Sequence, residues 1–480
     1  GKKSNFINGV WVEGEGEIIN INPSDTNDVI DTYSNASSKQ LNDAVSAAQK
    51  AQKNWEKVGI EKRANILHDI GNELIKQSKE IGTLLSREEG KTLPEGIGEV
   101  IRSGQQFQYY AASALRQFGE NIASTREGVS VEMTREPVGV CGIISPWNFP
   151  IAIAAWKSAP AMAFGNAVVL KPASQTPASA IALTKIISNQ KDIPDGLFNL
   201  VLGGGGTIGQ QISGHKDINA ISFTGSVGVG QTIYMEAAKS MKKMQLEMGS
   251  KNPLVVMDDA DLDIAVACAT NGAYGGTGQK CTASSRLIVH EKVYKEFIEK
   301  LIENLKGLKV GHALEEGSQM GPVSSETQLH SNLDYIEIGK KEAKLAYGGD
   351  PMNMRTPGHY MEPTLFIDGN NKTTINQEEM FGPIACVIPV KSYEEGLEVA
   401  NDTIFGLSSG IITQSLSKAA DFKKNIKTGV TTVNLPTAGL DYHVPFGGRK
   451  ASSFGPREQG TYAHEFFTHV KTTYVSPGKI

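Results

Sequence analysis

The sequence predicts an α/β protein with two doubly wound, Rossmann-like units and a β-stranded appendage. Two observations carry that prediction. From residue 138 onward, short runs apolar on both faces alternate with helical patterns, and a second series of the same kind begins after Asp258. Strands of that composition belong in a parallel sheet covered by helices on each side. The chain is also 480 residues long, too long for one simple core, so two or three packed units are expected.

After an opening polar hairpin, Ser38 is placed as the cap of a helix with Leu41, Ala44, Val45, Ala48 and Trp55 at helical spacing. A second helix turns Ile66, Leu67, Ile70, Leu74, Ile81 and Leu84 inward and stops at Gly90. A third, over residues 95–116, buries Ile97, Ile101, Phe107 and Tyr110. Arg102 and Gln106 lie one turn apart on it and share a face, which by itself reads as a solvated pair.

Residues 119–135 alternate polar and apolar and interrupt the first unit. Strands are then expected at 138–144, 167–170, 198–202, 220–223 and 254–257, with helices over 154–163 and 178–188. The second series has strands at 286–289 and 385–390 and helices over 292–305 and 394–401. Residues 348–363 form a loop rich in glycine and proline, and 461–474 read as a strand-rich tail without a core. The organisation expected is a dinucleotide-binding domain (1–118 and 137–249), a catalytic domain (250–452) and oligomerisation segments (119–136 and 460–480).

Composition narrows the function. With 39% hydrophobic and 21% charged residues the chain is an ordinary soluble globular protein. A net charge of -5 gives no reason to expect nucleic acid or an anionic membrane. No apolar run reaches the roughly 18 residues of a membrane span, and the first residues lack a signal-peptide apolar region. Cys141, Cys268, Cys281 and Cys386 are widely spaced without a Cys-x-x-Cys pair. That fits a reducing cytoplasm and argues against both a disulfide framework and a metal site.

The chemistry centres on Cys281, set among small and polar residues in Gly276-Thr-Gly-Gln-Lys-Cys-Thr-Ala-Ser-Ser285. A thiol nucleophile needs a base, and Gln245-Leu-Glu-Met-Gly249 places Glu247 before a glycine turn. The strand at 220–223 ends in Thr-Gly-Ser-Val-Gly-Val-Gly230 and leads into a helix, a turn whose backbone can approach a pyrophosphate. Its spacing is not Gly-x-Gly-x-x-Gly, and a plain tight turn reads equally well. The second cluster, Gly203 to Gly206, reads as close strand-loop packing.

These motifs, with Ser145-Pro-Trp-Asn-Phe-Pro150, Phe223-Thr-Gly-Ser226 and Glu379-Met-Phe-Gly-Pro383, resemble the NAD(P)-dependent aldehyde dehydrogenase superfamily from Phe6 to Thr472. The resemblance implies Cys281 as nucleophile, Glu247 as base, Asn148 with the Cys281 N–H as oxyanion donors, and Lys157 in the catalytic set. It implies a cofactor site of Ser145, Trp147, Lys171, Ser174, Gly225, Ser226, Gly230, Glu379 and Phe381. Where NAD-preferring members carry an acid, Ser174 neither accepts strongly from a ribose 2'-hydroxyl nor repels a 2'-phosphate, so NADP is expected alongside NAD.

The resemblance places Arg102, Gln106, Phe149, Ile153, Trp156, Gly275 and Phe446 around the aldehyde, with Arg102 the one cation there. A guanidinium suits a carboxylate. The segment from Asn434 to Gly460 looks most like that of 2-oxoglutarate semialdehyde (2,5-dioxopentanoate) dehydrogenases, with succinate semialdehyde or broad specificity as alternatives. A homodimer or homotetramer built through residues 119–135 is implied. An acyl-CoA-forming enzyme would lack the acid at Glu247, a cysteine hydrolase would need His443 as partner, and a non-enzymatic protein would not need the whole set.

Overall fold

The computed structural model describes residues 2–117 and 119–479; the expected segment ends at 1, 118 and 480 lie outside the described residues. Two large sheets organise it. The first runs in the order Val10–Glu13, Lys3–Ile7, Phe198–Leu200, Ala167–Lys171, Val140–Ile144, Ala220–Thr224, Lys243–Glu247, Ser453–Phe454. The five strands from Phe198–Leu200 to Lys243–Glu247 are mutually parallel. The order reverses between Val140–Ile144 and Ala220–Thr224, and in such sheets ligands bind beyond the strand C-termini at that point.

The second sheet runs Lys344–Tyr347, Thr364–Ile367, Ile384–Val390, Ser284–His290, Asn252–Val256, Ser408–Ile412, Val430–Val433. It is parallel except for Lys344–Tyr347 at one edge. Only four residues separate Lys243–Glu247 from Asn252–Val256, so the C-terminal edge of the first sheet feeds the N-terminal edge of the second. Burial follows from composition: Val140–Ile144, Ala167–Lys171 and Ala220–Thr224 are buried at every position. A third sheet joins Glu120–Ala123, Ser130–Pro137 and Thr468–Val475, so residues 119–135 do form a hairpin, completed by the tail.

Several local expectations need correction. The first helix, Ser38–Trp55, is capped by Ser37 rather than Ser38, because Gln40 three residues on closes a reciprocal capping box with it. The expected second helix is two, Ile60–Lys76 and Ser78–Glu89, broken at Gln77. Leu84 is half-buried, as are Ile97 and Ile101 on Leu93–Ala114, whose buried face keeps the expected Phe107 and Tyr110 and adds Glu99, Val100 and Ser103. The tail is less strand-rich than expected: His464–Phe467 is helical, and Ala463, Phe466 and Phe467 pack into the core of the first sheet.

Candidate active site

Cys281 lies in the loop that leads into Ser284–His290, at the N-terminal edge of the second sheet. Just upstream, Gly276, Thr277 and Gly278 are all left-handed, with φ of 62°, 59° and 66°. A β-branched residue in that region is strained, and the buried Thr277 hydroxyl is tied to the Gly321 carbonyl at 3.0 Å. Asn252 clamps the loop from below, its amide donating to the carbonyls of Cys281 and Ala283 at 2.8 Å each. The half-buried thiol is pushed up by burial, then by the charges of Glu247 and Glu379. It therefore needs a proton acceptor before it can attack.

Glu247 ends the strand Lys243–Glu247 and is buried. Burial and then the neighbouring Glu458 raise its carboxyl well above the carboxylate range, while Ser453 and Lys157 act in the opposite direction. The Ser453 hydroxyl donates to Oε2 at 2.5 Å. Asn148 is buried, and its amide donates to the Gln279 carbonyl at 3.2 Å, beside Cys281 in the chain.

A cavity of about 320 Å³ opens onto Cys281. Arg102, Phe149, Ile153, Trp156 and Phe446 line it. The Trp156 and Phe446 rings lie 5.7 Å apart. Arg102 donates through Nη1 to the Leu440 carbonyl and has its guanidinium 5.9 Å from the Tyr442 ring, which leaves other N–H donors unassigned. It is not the one cation of the cavity, because Lys91 and Lys280 line it too. Lys91 is paired with Glu99 at 2.6 Å, and Lys280 donates to the Asn271 carbonyl at 3.2 Å.

Three expected positions fall outside the lining. Gln106 stands one layer back, its amide donating to Gln459 at 2.6 Å, and Gln459 faces the cavity in its place. Gly275 is replaced by Asn271 and Lys280. Lys157 is 1% exposed and ion-paired with Glu458 behind the cavity, with its ammonium 2.7 Å from the Ser222 hydroxyl. His443 is exposed and does not line the cavity, so the hydrolase alternative has no thiol partner there.

Most of the residues expected around a cofactor gather on the C-terminal edge of the first sheet. Ser145 follows Val140–Ile144, Lys171 ends its strand, and Gly225 and Ser226 follow Ala220–Thr224. Ser226 caps the helix Val227–Ala238, accepting from the Val229 N–H at 3.4 Å. A Cβ on Gly230 would lie 2.4 Å from the Met248 sulfur, so that helix can sit this close only with glycine there. The buried hydroxyls of Ser145, Thr176 and Thr224 have no partner, as expected of groups that face a polar ligand. Lys171 donates to the carbonyls of Pro172 and Gly203 at 2.9 Å each, and burial lowers it to about 8. Ser174 donates to the same Gly203 carbonyl at 3.3 Å. Glu379 accepts from the Ser250 N–H at 2.7 Å and is raised to about 7 by burial. Trp147 and Phe381 meet edge to face at 5.4 Å. These residues fit a dinucleotide: a glycine turn at a helix N-terminus, unpaired hydroxyls and an aromatic pair at the strand-order reversal.

The model of the aldehyde dehydrogenase family matches residues 11–473. The chain belongs to the aldehyde dehydrogenase family. It is an oxidoreductase of that kind, and its mixed α/β architecture is the family fold. Among relatives of this aldehyde dehydrogenase, the alpha-ketoglutaric semialdehyde dehydrogenase of Bacillus subtilis (strain 168) is 42% identical, over 98% of each chain. The alpha-ketoglutarate semialdehyde dehydrogenase of Haloferax volcanii is 41% identical, again over 98% of each. The betaine aldehyde dehydrogenase of Staphylococcus aureus in complex with NAD+ superposes with a TM-score of 0.96 at 31% identity, covering 100% of this chain and 96% of that one.

Sequence reasoning missed Lys91, Glu99, Ser453, Glu458 and Gln459. One of them left a signal: Glu99 falls on the same helical stripe as Val100, Ser103 and Phe107, and an acid on a buried face demands a partner. Among the described residues no group of acids, histidines and cysteines could hold a metal, and no helix is long and apolar enough to cross a membrane.

Proposed function

We propose that this aldehyde dehydrogenase oxidises a short aldehyde with a distal carboxylate, 2-oxoglutarate semialdehyde foremost, to the acid, and that it takes NADP as well as NAD. The observation that carries the substrate is the Arg102 guanidinium on the wall of the cavity that opens onto Cys281. Phe149, Trp156 and Phe446 give that cavity apolar walls, and about 320 Å³ suits a five-carbon chain. The likeness to the Bacillus subtilis and Haloferax volcanii enzymes supports the same substrate.

In this reading Cys281 loses its proton to Glu247 and its thiolate bonds to the aldehyde carbon. The alkoxide that forms is met by the Asn148 amide and the Cys281 N–H. A nicotinamide bound beside Cys281 would supply hydride acceptance, and the acyl group is then held on Cys281 as a thioester. Ser145, Lys171, Ser226 and the Gly225–Gly230 turn would hold the dinucleotide, with Glu379 and Phe381 for its nicotinamide end. Glu247 gives up that first proton to solvent; water then bonds to the acyl carbon, its proton goes to Glu247, and the C–S bond breaks with the electron pair returning to sulfur. Lys157 acts on Glu247 through Glu458, as a positioning residue. The enzyme works in the cytoplasm as a homodimer or homotetramer, and the sheet completed by Thr468–Val475 supplies the contact between copies.

Cys281→Ala is expected to abolish turnover. Glu247→Gln is expected to leave an acyl-enzyme visible by intact mass after one round of hydride transfer. Full turnover in Cys281→Ala overturns the assignment. A panel of carboxylated and neutral aldehydes with both cofactors tests the substrate, and equal kcat/KM for both aldehyde classes would exclude a carboxylate-reading site.

A further inference from the structure

We propose that Ser453 is a positioning residue for Glu247: it fixes one carboxylate oxygen and favours the ionised form of the group, so that the other oxygen takes the proton of the hydrolytic water. The proposal rests on the reading of Glu247 given above. Ser453–Phe454 is a two-residue strand that pairs antiparallel with the end of Lys243–Glu247, in a register that sets Ser453 directly opposite Glu247. The Ser453 hydroxyl accepts from the Gly448 N–H at 2.8 Å and donates its own hydrogen to Glu247 Oε2 at 2.5 Å. With its acceptor side held by the backbone, the hydroxyl has its hydrogen aimed at the carboxylate. The neighbouring Ser452 turns the other way and accepts from the Gly406 N–H at 3.0 Å, so the two serines do different work.

Oε1, the free oxygen, faces the Gly447 backbone. A Cβ at Gly447 would lie 2.9 Å from it and 2.5 Å from Arg457 Cδ, so the turn leaves room for the carboxylate only as glycine. The charged and titratable groups facing Glu247 are Glu458, Lys157, Arg457 and the Cys281 thiol. Burial and Glu458 favour the neutral acid. The Ser453 hydrogen bond is the strongest influence in the other direction, ahead of Lys157 and Arg457. A hydrogen bond donated to a carboxylate favours its charged form. A base must be ionised before it can take a proton from water.

The test compares wild type, Ser453→Ala, Ser453→Thr, Ser453→Cys and Glu247→Gln with NAD+, using 2-oxoglutarate semialdehyde and, independently of that substrate assignment, butyraldehyde. Removing the donor raises the pH at which Glu247 ionises. The acid limb of kcat in Ser453→Ala should therefore move up by about one pH unit, the size of a charge-assisted hydrogen bond. Below that limb an acyl-enzyme should accumulate by intact mass, while the first-turnover burst of reduced cofactor keeps its rate. Ser453→Thr, which retains the hydroxyl, should keep the wild-type profile. Ser453→Cys, close in size but a weak donor, should reproduce the shift even where the alanine variant is poorly folded. An unmoved acid limb in both Ser453→Ala and Ser453→Cys, in an enzyme whose Glu247→Gln does trap the acyl group, overturns this proposal alone. Absence of trapping in Glu247→Gln overturns the base assignment with it.

Discussion

The Lys91 ammonium sits 2.8 Å from the carbonyl oxygen of Asn148 and 3.9 Å from the centre of the Phe149 ring. Its counter-ion, Glu99, uses its other oxygen to accept from the Ile151 and Ala152 N–H groups at 3.0 and 3.1 Å. One buried ion pair thus holds both the residue placed at the oxyanion and the start of the helix behind it. Lys91→Met strands Glu99 without its partner, a change that costs about 3–5 kcal/mol in buried pairs. Thermal denaturation should show that loss. The double variant Lys91→Met/Glu99→Gln, which removes both charges but keeps an acceptor for the Ile151 and Ala152 N–H groups, should recover most of the stability and little of the kcat, because the Asn148 carbonyl stays unanchored.

Arg102 gives a prediction on substrate choice. Arg102→Ala should lower kcat/KM for 2-oxoglutarate semialdehyde by about two to three powers of ten, the effect of leaving a bound carboxylate unpaired. Butyraldehyde should lose far less, since Cys281, Asn148 and Glu247 are untouched. Equal losses would mean that the bond from Arg102 to the Leu440 carbonyl matters only for the shape of the cavity.

Cofactor choice should follow pH as well as sequence. Lys171 is lowered from 10.5 to about 8 by burial, so the free enzyme loses that positive charge as pH rises through about 8. The ratio of NADP to NAD affinity should therefore fall between pH 7 and pH 9, measured by fluorescence titration. Ser174→Glu should shift the ratio towards NAD at every pH by repelling a 2'-phosphate. A ratio unchanged by the substitution would remove Ser174 from the site.

Lys157 and Glu458 should move the base in opposite directions. Lys157→Met removes a cation that favours ionised Glu247, so the acid limb of kcat should shift to higher pH. Glu458→Gln removes a like charge and should shift it to lower pH, with some stability lost because Lys157 is then buried unpaired. Shifts in the same direction would show that the pair acts only through packing.

What could be read before the structure divides along physical lines. Cys281, Glu247, Asn148 and the Gly225–Gly230 turn sit in local motifs, where a few consecutive residues carry both the turn and the reactive group. The parallel strands were legible because Val140–Ile144 and Ala167–Lys171 are apolar on both faces. Ser453 and Glu458 carry no such mark. Their meaning comes from the antiparallel edge strand and from the exchange of backbone hydrogen bonds between Phe446 and Glu458, pairings that no local pattern announces. Gln106 was misplaced for a related reason: its helical face was right, but Gln459, arriving from the far end of the chain, stands in front of it.

The late arrival of that segment also bears on how the molecule is made. Ser453 reaches back 206 positions to Glu247, Glu458 reaches back 301 to Lys157, and Gln459 reaches back 353 to Gln106. Contacts this distant in sequence form slowly, because a long loop must close before they can. A chain growing on the ribosome can complete the inner parallel strands of its first sheet and expose Cys281 well before residues 446–459 emerge. Until then the Cys281 thiol has no finished cavity and Glu247 no edge strand beside it, so the candidate site is completed only when residues 446–459 have emerged rather than step by step.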